Sequence, residues 1–127
     1  CRLLRTKLGN KHHIVFGAES KARQPTKDGG GGSENVELKT MAVLHGHGDR
    51  WAWERHKLLR WWCQSFLAGI PEIVVAVHDA QHRIVRVERH RTLGIPGAVD
   101  KERQWDSELC LNFTDKLLSF LQESVAE

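Results

Sequence analysis

The run Asn35-Val36-Glu37-Leu38-Lys39-Thr40 holds the residues of this chain best suited to chemistry. Side chains alternate along a strand, so Glu37 and Lys39 share one face while Val36 and Leu38 take the other. A carboxylate is a hard oxygen ligand for a divalent cation, and an ammonium beside it can hold a phosphate oxygen. Together they suit metal-assisted hydrolysis of a phosphate ester. The other face, Val36 and Leu38, is expected to anchor the strand in a core. Glu-x-Lys by itself is a weak signal, because exposed strands carry it by chance. The surrounding elements decide its weight.

Upstream, residues 13–19 form a short apolar run that ends in the carboxylate of Glu19. On composition alone Glu19 reads as the surface end of a strand. Antiparallel pairing of this run with the Glu37 strand would bring the two carboxylates together, and such a pair repels unless a cation lies between. Downstream, a helix is expected over residues 51–68, with Leu58, Leu59, Trp62, Cys63, Phe66 and Leu67 recurring at helical spacing. Gly69 and Pro71 end it.

Between the two acidic strands, residues 20–33 are polar and close on Gly29-Gly30-Gly31-Gly32-Ser33, so they are expected to form a flexible loop. The valine-rich residues 72–78 read as a central strand, residues 79–82 as a turn, and residues 83–91 as an edge strand. There Ile84 or Val85 and Val87 alternate with Arg86, Glu88, Arg89 and His90. A loop over residues 94–104 leads to a final helix that starts at Asp106, a good N-cap, and runs to Ser124. Its expected buried face carries Leu109, Cys110, Phe113, Leu117, Phe120 and Leu121. This order of elements predicts one α/β domain over residues 1–127, a mixed sheet with packed helices.

The net charge of +3 and the pI of about 8.9 permit a polyanionic partner without demanding one. Three cysteines, odd in number and far apart, argue against a disulfide framework or a zinc site. Cys63 and Cys110 are expected to be buried thiols, in keeping with a reducing intracellular compartment. No apolar stretch approaches the roughly 18 residues of a membrane span, and no signal peptide is evident. His45 and His47 stand in a glycine-rich stretch that reads as solvated loop rather than metal site. The five tryptophans could stack bases, but at least one of Trp61 and Trp62 must be core. The arginines of residues 83–91 read as a solvated edge before an RNA path.

The wording of the central stretch is more specific than its pattern. Gly17-Ala18-Glu19, then Val36-Glu37-Leu38-Lys39-Thr40, then Lys-Leu-Leu-Arg-Trp-Trp-Cys-Gln-Ser-Phe-Leu over residues 57–67, followed by Gly69-Ile70-Pro71, resembles the DXO/RAI family of RNA 5′-end decapping nucleases. The likeness runs over residues 1–120. It implies a restriction-endonuclease-like core of the PD-(D/E)XK type. That core is expected to be incomplete, because family members are longer and the match is to their C-terminal part. With Cys1 at its start, the chain is expected to be a fragment or a shortened gene product.

The resemblance further implies a metal-dependent hydrolase that removes aberrant caps, NAD caps or pyrophosphate from RNA 5′ ends in RNA quality control. Glu37 would ligate the metal directly, Glu19 through water and Leu38 through its carbonyl, the ion being Mg²⁺ or Mn²⁺. Lys39 and Gln64 would hold the scissile phosphate. Without the resemblance, Gln64 is a polar residue on a half-exposed helix edge. One departure stands out. Where the family pattern is Glu-x-Asp, with the Asp a metal ligand, this chain has Glu19-Ser20-Lys21, so that the Asp is either substituted or lost with neighbouring residues. Lys21 would oppose a cation. The resemblance also implies nuclear localisation, with RNA 5′ ends and a nuclear 5′→3′ exoribonuclease as partners. The rival expectation is a non-catalytic truncated homologue that binds RNA or such an exoribonuclease.

Overall fold

The computed structural model describes residues 1–126. The most continuous apolar run, Glu72–His78, forms a strand (β5) flanked on both sides. On one side lies β4 (Ser33–Ala42), parallel to it; on the other lies β6 (Ile84–Arg91), antiparallel. A parallel pair needs a crossover, and here the crossover is the helical stretch of α1 (Gly46–Ala52), a π-helical turn Trp53–Leu58, and α2 (Leu59–Leu67). The return to β6 is tight. The Asp79 carboxylate accepts hydrogen bonds from the backbone N–H groups of Gln81 and Arg83, and His82 adopts φ 60°.

The parallel register places Glu37, Lys39 and Met41 in line with Ile73, Val75 and Val77, which are fully buried. The crossover helix packs on this face through Trp53, Leu58, Trp61 and Trp62. Eight residue steps separate Trp53 from Trp61, which in a regular α-helix would leave them about 80° apart around the axis. The π turn absorbs that excess, and the two indoles meet edge to face at 5.9 Å. The helical stretch also begins earlier than residue 51, because Asp49 in the first turn accepts a hydrogen bond from the His45 N–H.

Several expectations are corrected. Val36 is buried, but Leu38 is 46% exposed, on the face opposite to the one the helix covers. Within the expected loop 20–33, residues Ala22–Pro25 form a strand, β3, which pairs antiparallel with residues 33–36 of β4. The run ending at Glu19, β2 (His12–Ala18), pairs with β1 (Arg2–Leu8) in a separate two-stranded sheet rather than with the Glu37 strand. The expected loop 94–104 includes the short α3 (Ile95–Ala98), and Ile95, Val99 and Trp105 join the core. On β6 the expected alternation is absent: Ile84, Val85 and Val87 are all exposed.

The final helix, α4 (Ser107–Val125), starts where expected, with the Asp106 side chain accepting from the Glu108 N–H. Its docked side is not the apolar stripe. Asp115 contacts the buried His12 at 2.9 Å, the Ser119 hydroxyl lies 3.3 Å from the same ring nitrogen, and Leu111 packs against the core. Leu109, Phe113, Leu117, Phe120 and Leu121 remain exposed. Cys63 and Cys110 are half-buried free thiols, and burial, with Cys110 nearby, pushes the Cys63 thiol up from its ordinary value. No helix among the described residues is long and apolar enough to cross a membrane.

Candidate active site

Three elements meet at one cavity of about 430 Å³: the end of β2 with the residues after it, β4, and α2. Glu19, Lys21, Glu37, Lys39 and Gln64 all line it. Glu37 and Lys39 reach it because strand alternation puts both on the helix-covered face, and Gln64 reaches it from the exposed edge of α2. Leu38 does not line it; its side chain turns to the opposite face and borders a neighbouring groove.

Glu37 is only 6% exposed. Lys39 Nζ lies 3.5 Å from its Oε1 and donates a hydrogen bond to Gln64 Oε1 at 3.3 Å, so one ammonium ties strand to helix. Lys21 Nζ approaches the same Glu37 oxygen at 3.8 Å. Sequence reasoning placed Lys21 as an opponent of a cation but not as an ion-pair partner of Glu37. Its position follows from local pairing: the Ser20 hydroxyl donates to Asn35 Oδ1 at 2.9 Å, and Ala22 is in register with Val36. The residue between them is thereby carried to the flank of Glu37.

A second groove of similar size shares Lys21, Lys39 and Gln64 with the cavity and adds Lys57, Arg60 and Trp61. Lys57, Arg60, Trp61 and Gln64 follow i, i+3, i+4, i+7 spacing, so one helix face presents them together. That spacing was the signal for Lys57 and Arg60, which the sequence reading left inside a block of resemblance. His45 and His47 are exposed, His45 at the N-cap of α1 and His47 in its first turn rather than in a loop, and among the described residues no group of three or more His, Cys, Asp or Glu could hold a metal ion. The arginines of β6 are engaged structurally, Arg86 with Glu88 and Arg89 with Glu72. Trp53, Trp61, Trp62 and Trp105 are core; Trp51 is exposed, with the Arg55 guanidinium 5.3 Å from its ring.

A Mg²⁺ or Mn²⁺ ion needs about six oxygen ligands and a local excess of negative charge. Here the one buried carboxylate of the site faces two ammonium groups within 4 Å, at 3.5 and 3.8 Å. This donor set does not fit a resident dication.

A mixed sheet with a parallel β4–β5 pair, a crossover helix packed on it, and Glu-x-Lys on the covered face defines a PD-(D/E)XK-type nuclease fold. The family model described as "RAI1 like PD-(D/E)XK nuclease" matches residues 1–127, and the chain belongs to that family. It is 43% identical over 91 residues to the decapping and exoribonuclease protein of Xenopus laevis, covering 71% of this chain and 23% of the relative. To the decapping nuclease RAI1 of Chaetomium globosum it is 36% identical over 129 residues, covering 98% of this chain and 34% of the relative. The chain thus spans about a third or less of the length of these relatives. The crystal structure of Candida albicans Rai1 in complex with pU5-Mn²⁺ superposes with a TM-score of 0.82 at 24% identity, covering 97% of this chain and 34% of that one, which shows the shared fold.

Proposed function

We propose that this chain forms the 5′-end-binding part of an RNA decapping nuclease. The observation that carries the reading is the convergence of Glu37 and Lys39 from β4 with Gln64 from α2 on one cavity, in a chain of the decapping-nuclease family. The named relatives are decapping nucleases, and one solved neighbour carries a short 5′-phosphorylated oligouridine with Mn²⁺. In this reading Lys39 neutralises a terminal phosphate and the Gln64 amide helps position it. Glu37 holds Lys39 in place. Charge that develops on the phosphate is where a fixed ammonium is worth most. The substrates are RNA 5′ ends with aberrant caps, NAD caps or pyrophosphate, in RNA quality control. Hydrolysis, with its dependence on divalent metal, is proposed for a protein that brings further oxygen ligands to Glu37.

The test joins this chain to the remaining two thirds of a family relative and measures release of cap or nucleotide from 5′-modified RNA in Mn²⁺. Lys39→Ala is expected to lower turnover by about a hundredfold or more while RNA affinity, spread over several basic contacts, falls by less than about fivefold. Equal losses in turnover and affinity would sink the active-site assignment. A specific observation, the Lys21–Glu37 ion pair, keeps a binding role in view beside catalysis.

A further inference from the structure

We propose that Lys21 and Lys39 form a phosphate clamp that works without a divalent cation, so that the chain holds the terminal phosphate of a 5′-phosphorylated RNA by two ammonium groups across Glu37. The proposal rests on the 5′-end reading above and specifies how that site recognises its ligand.

The local charge balance carries the argument. Both ammonium groups approach one oxygen of one buried carboxylate, at 3.5 and 3.8 Å, which leaves the trio with a net positive charge. A terminal phosphate, with about −1.5 to −2 charges, is attracted by that excess. A dication would raise the positive charge further, against two like charges in a partly buried site where screening is weak. The two lysines are held differently. The Lys39 side chain is 18% exposed and tied to Gln64, whereas that of Lys21 is 53% exposed and free to turn its ammonium from Glu37 to an incoming phosphate oxygen. Its backbone is not free: the Ser20–Asn35 hydrogen bond and the β3–β4 pairing on either side of it fix where the side chain starts.

The surroundings point the same way. Lys21 and Lys39 stand at the boundary between the cavity, whose carboxylates are Glu19 and Glu37, and the groove lined by Lys57 and Arg60. No carboxylate lines that groove. A phosphodiester chain whose terminal phosphate sits at the boundary would therefore lay its next phosphates past Lys57 and Arg60 with no carboxylate to repel them. Glu37 acts in this arrangement as a positioning residue, the counter-ion that keeps two ammonium groups side by side when no phosphate is bound.

The experiment measures binding of the 127-residue chain to a labelled short oligouridine carrying a 5′-monophosphate, beside the same oligomer with a 5′-hydroxyl, in EDTA and in Mn²⁺. The chain is expected to prefer the 5′-phosphate by about tenfold in EDTA, as charge-assisted hydrogen bonds allow, and Mn²⁺ should change this by less than about twofold. Lys21→Gln should remove most of the preference, weakening the 5′-phosphate oligomer several-fold more than the 5′-hydroxyl one, and Lys21→Arg should keep it. Circular dichroism on both variants separates loss of the clamp from loss of the fold. A preference that appears only in Mn²⁺, or one that survives Lys21→Gln in a folded protein, overturns the clamp while leaving the 5′-end reading intact. Equal binding of the two oligomers with and without Mn²⁺ overturns the 5′-end reading itself, and the clamp with it.

Discussion

Two glutamates lie buried in neighbouring strands of one sheet, and each faces two cations. Glu37 on β4 is 6% exposed, with Lys21 and Lys39 at 3.8 and 3.5 Å; Glu72 on β5 is 4% exposed, with Lys27 and Arg89 at 3.6 and 3.4 Å. They occupy opposite faces, because the register pairs Val36 with Glu72 and Glu37 with Ile73. The difference lies in hydrogen bonding. Gln24 Nε2 donates to Glu72 at 2.7 Å and to Glu34 at 3.0 Å, knitting β3, β4 and β5 together. The contacts of Glu37 are ion pairs at the long end of the range. Burial and paired charge therefore do not by themselves distinguish a site from a strut. A carboxylate held by a short hydrogen bond is committed to the fold, whereas one held only by longer ion pairs keeps its partners available to a ligand.

The two faces also differ in what covers them, which sets the order of expected effects. The largest belongs to the floor beneath Glu37. Trp62, at 2% exposure, packs against Phe66 and Trp105, and Trp62→Ala should destabilise the fold by about 3–5 kcal/mol in chemical denaturation. A loss below about 1 kcal/mol would mean that the tryptophan layer does not hold the site face.

Glu72→Ala comes next, at about 1–3 kcal/mol, because the Gln24 amide loses the shorter of its two hydrogen bonds and Lys27 and Arg89 lose their shared counter-ion. Glu37→Ala should cost less stability than Glu72→Ala, and the opposite ranking would erase the contrast between them. Acid adds a second reading. The Gln24 hydrogen bond, with help from Arg89 and Lys27, holds the Glu72 carboxyl below its ordinary value of 4.5. Its contribution is therefore complete above that value and is lost as pH falls through the lowered folded value. Denaturation midpoints of wild type and Glu72→Ala should converge as the medium is acidified, and a constant gap would show that Glu72 acts through packing alone.

The smallest effect is expected on the bare face. Val87 is 59% exposed on β6, and Val87→Thr should change stability by no more than about 0.5 kcal/mol. A larger loss would show that this face is covered in solution.

What could be read in the sequence follows from how local each signal is. The central strand at residues 72–78, the Asp106 cap and the grouping of Glu37, Lys39 and Gln64 needed only periodicity, cap chemistry and an unusual run of residues. Which strand pairs with which is not local. The pairing of β3 with β4 rests on four residues beside a glycine run, and their alternating exposure is too short to rise above loop composition. The apolar stripe of α4 was legible as a stripe, but the choice of docked side came from His12 more than a hundred positions away. Glu72 gave no sign of its role, because a charged residue at a strand start looks like an exposed one until Gln24 and Arg89 arrive from other strands. Lys21 was visible as a departure from the family pattern, by substitution or by loss of residues; that it pairs with Glu37 required the register of a strand not expected.

The π turn has a consequence for anyone who edits this chain. Between Trp53 and Trp61 the helix carries one residue more than regular winding would use, so the length of residues 54–57 matters more than their composition. Exposed Arg55, His56 and Lys57 could be exchanged freely for helix formers with little effect on winding. Deleting any one of them would let the turn close as an ordinary α-helix. Trp53 would then stand seven steps from Trp61, within about 20° of it around the axis, so a single deletion is absorbed. A second deletion, or an insertion, would swing everything before the turn by about 100° and carry Trp53 off the layer it shares with Trp61. A segment that tolerates new letters can still be intolerant of a new count.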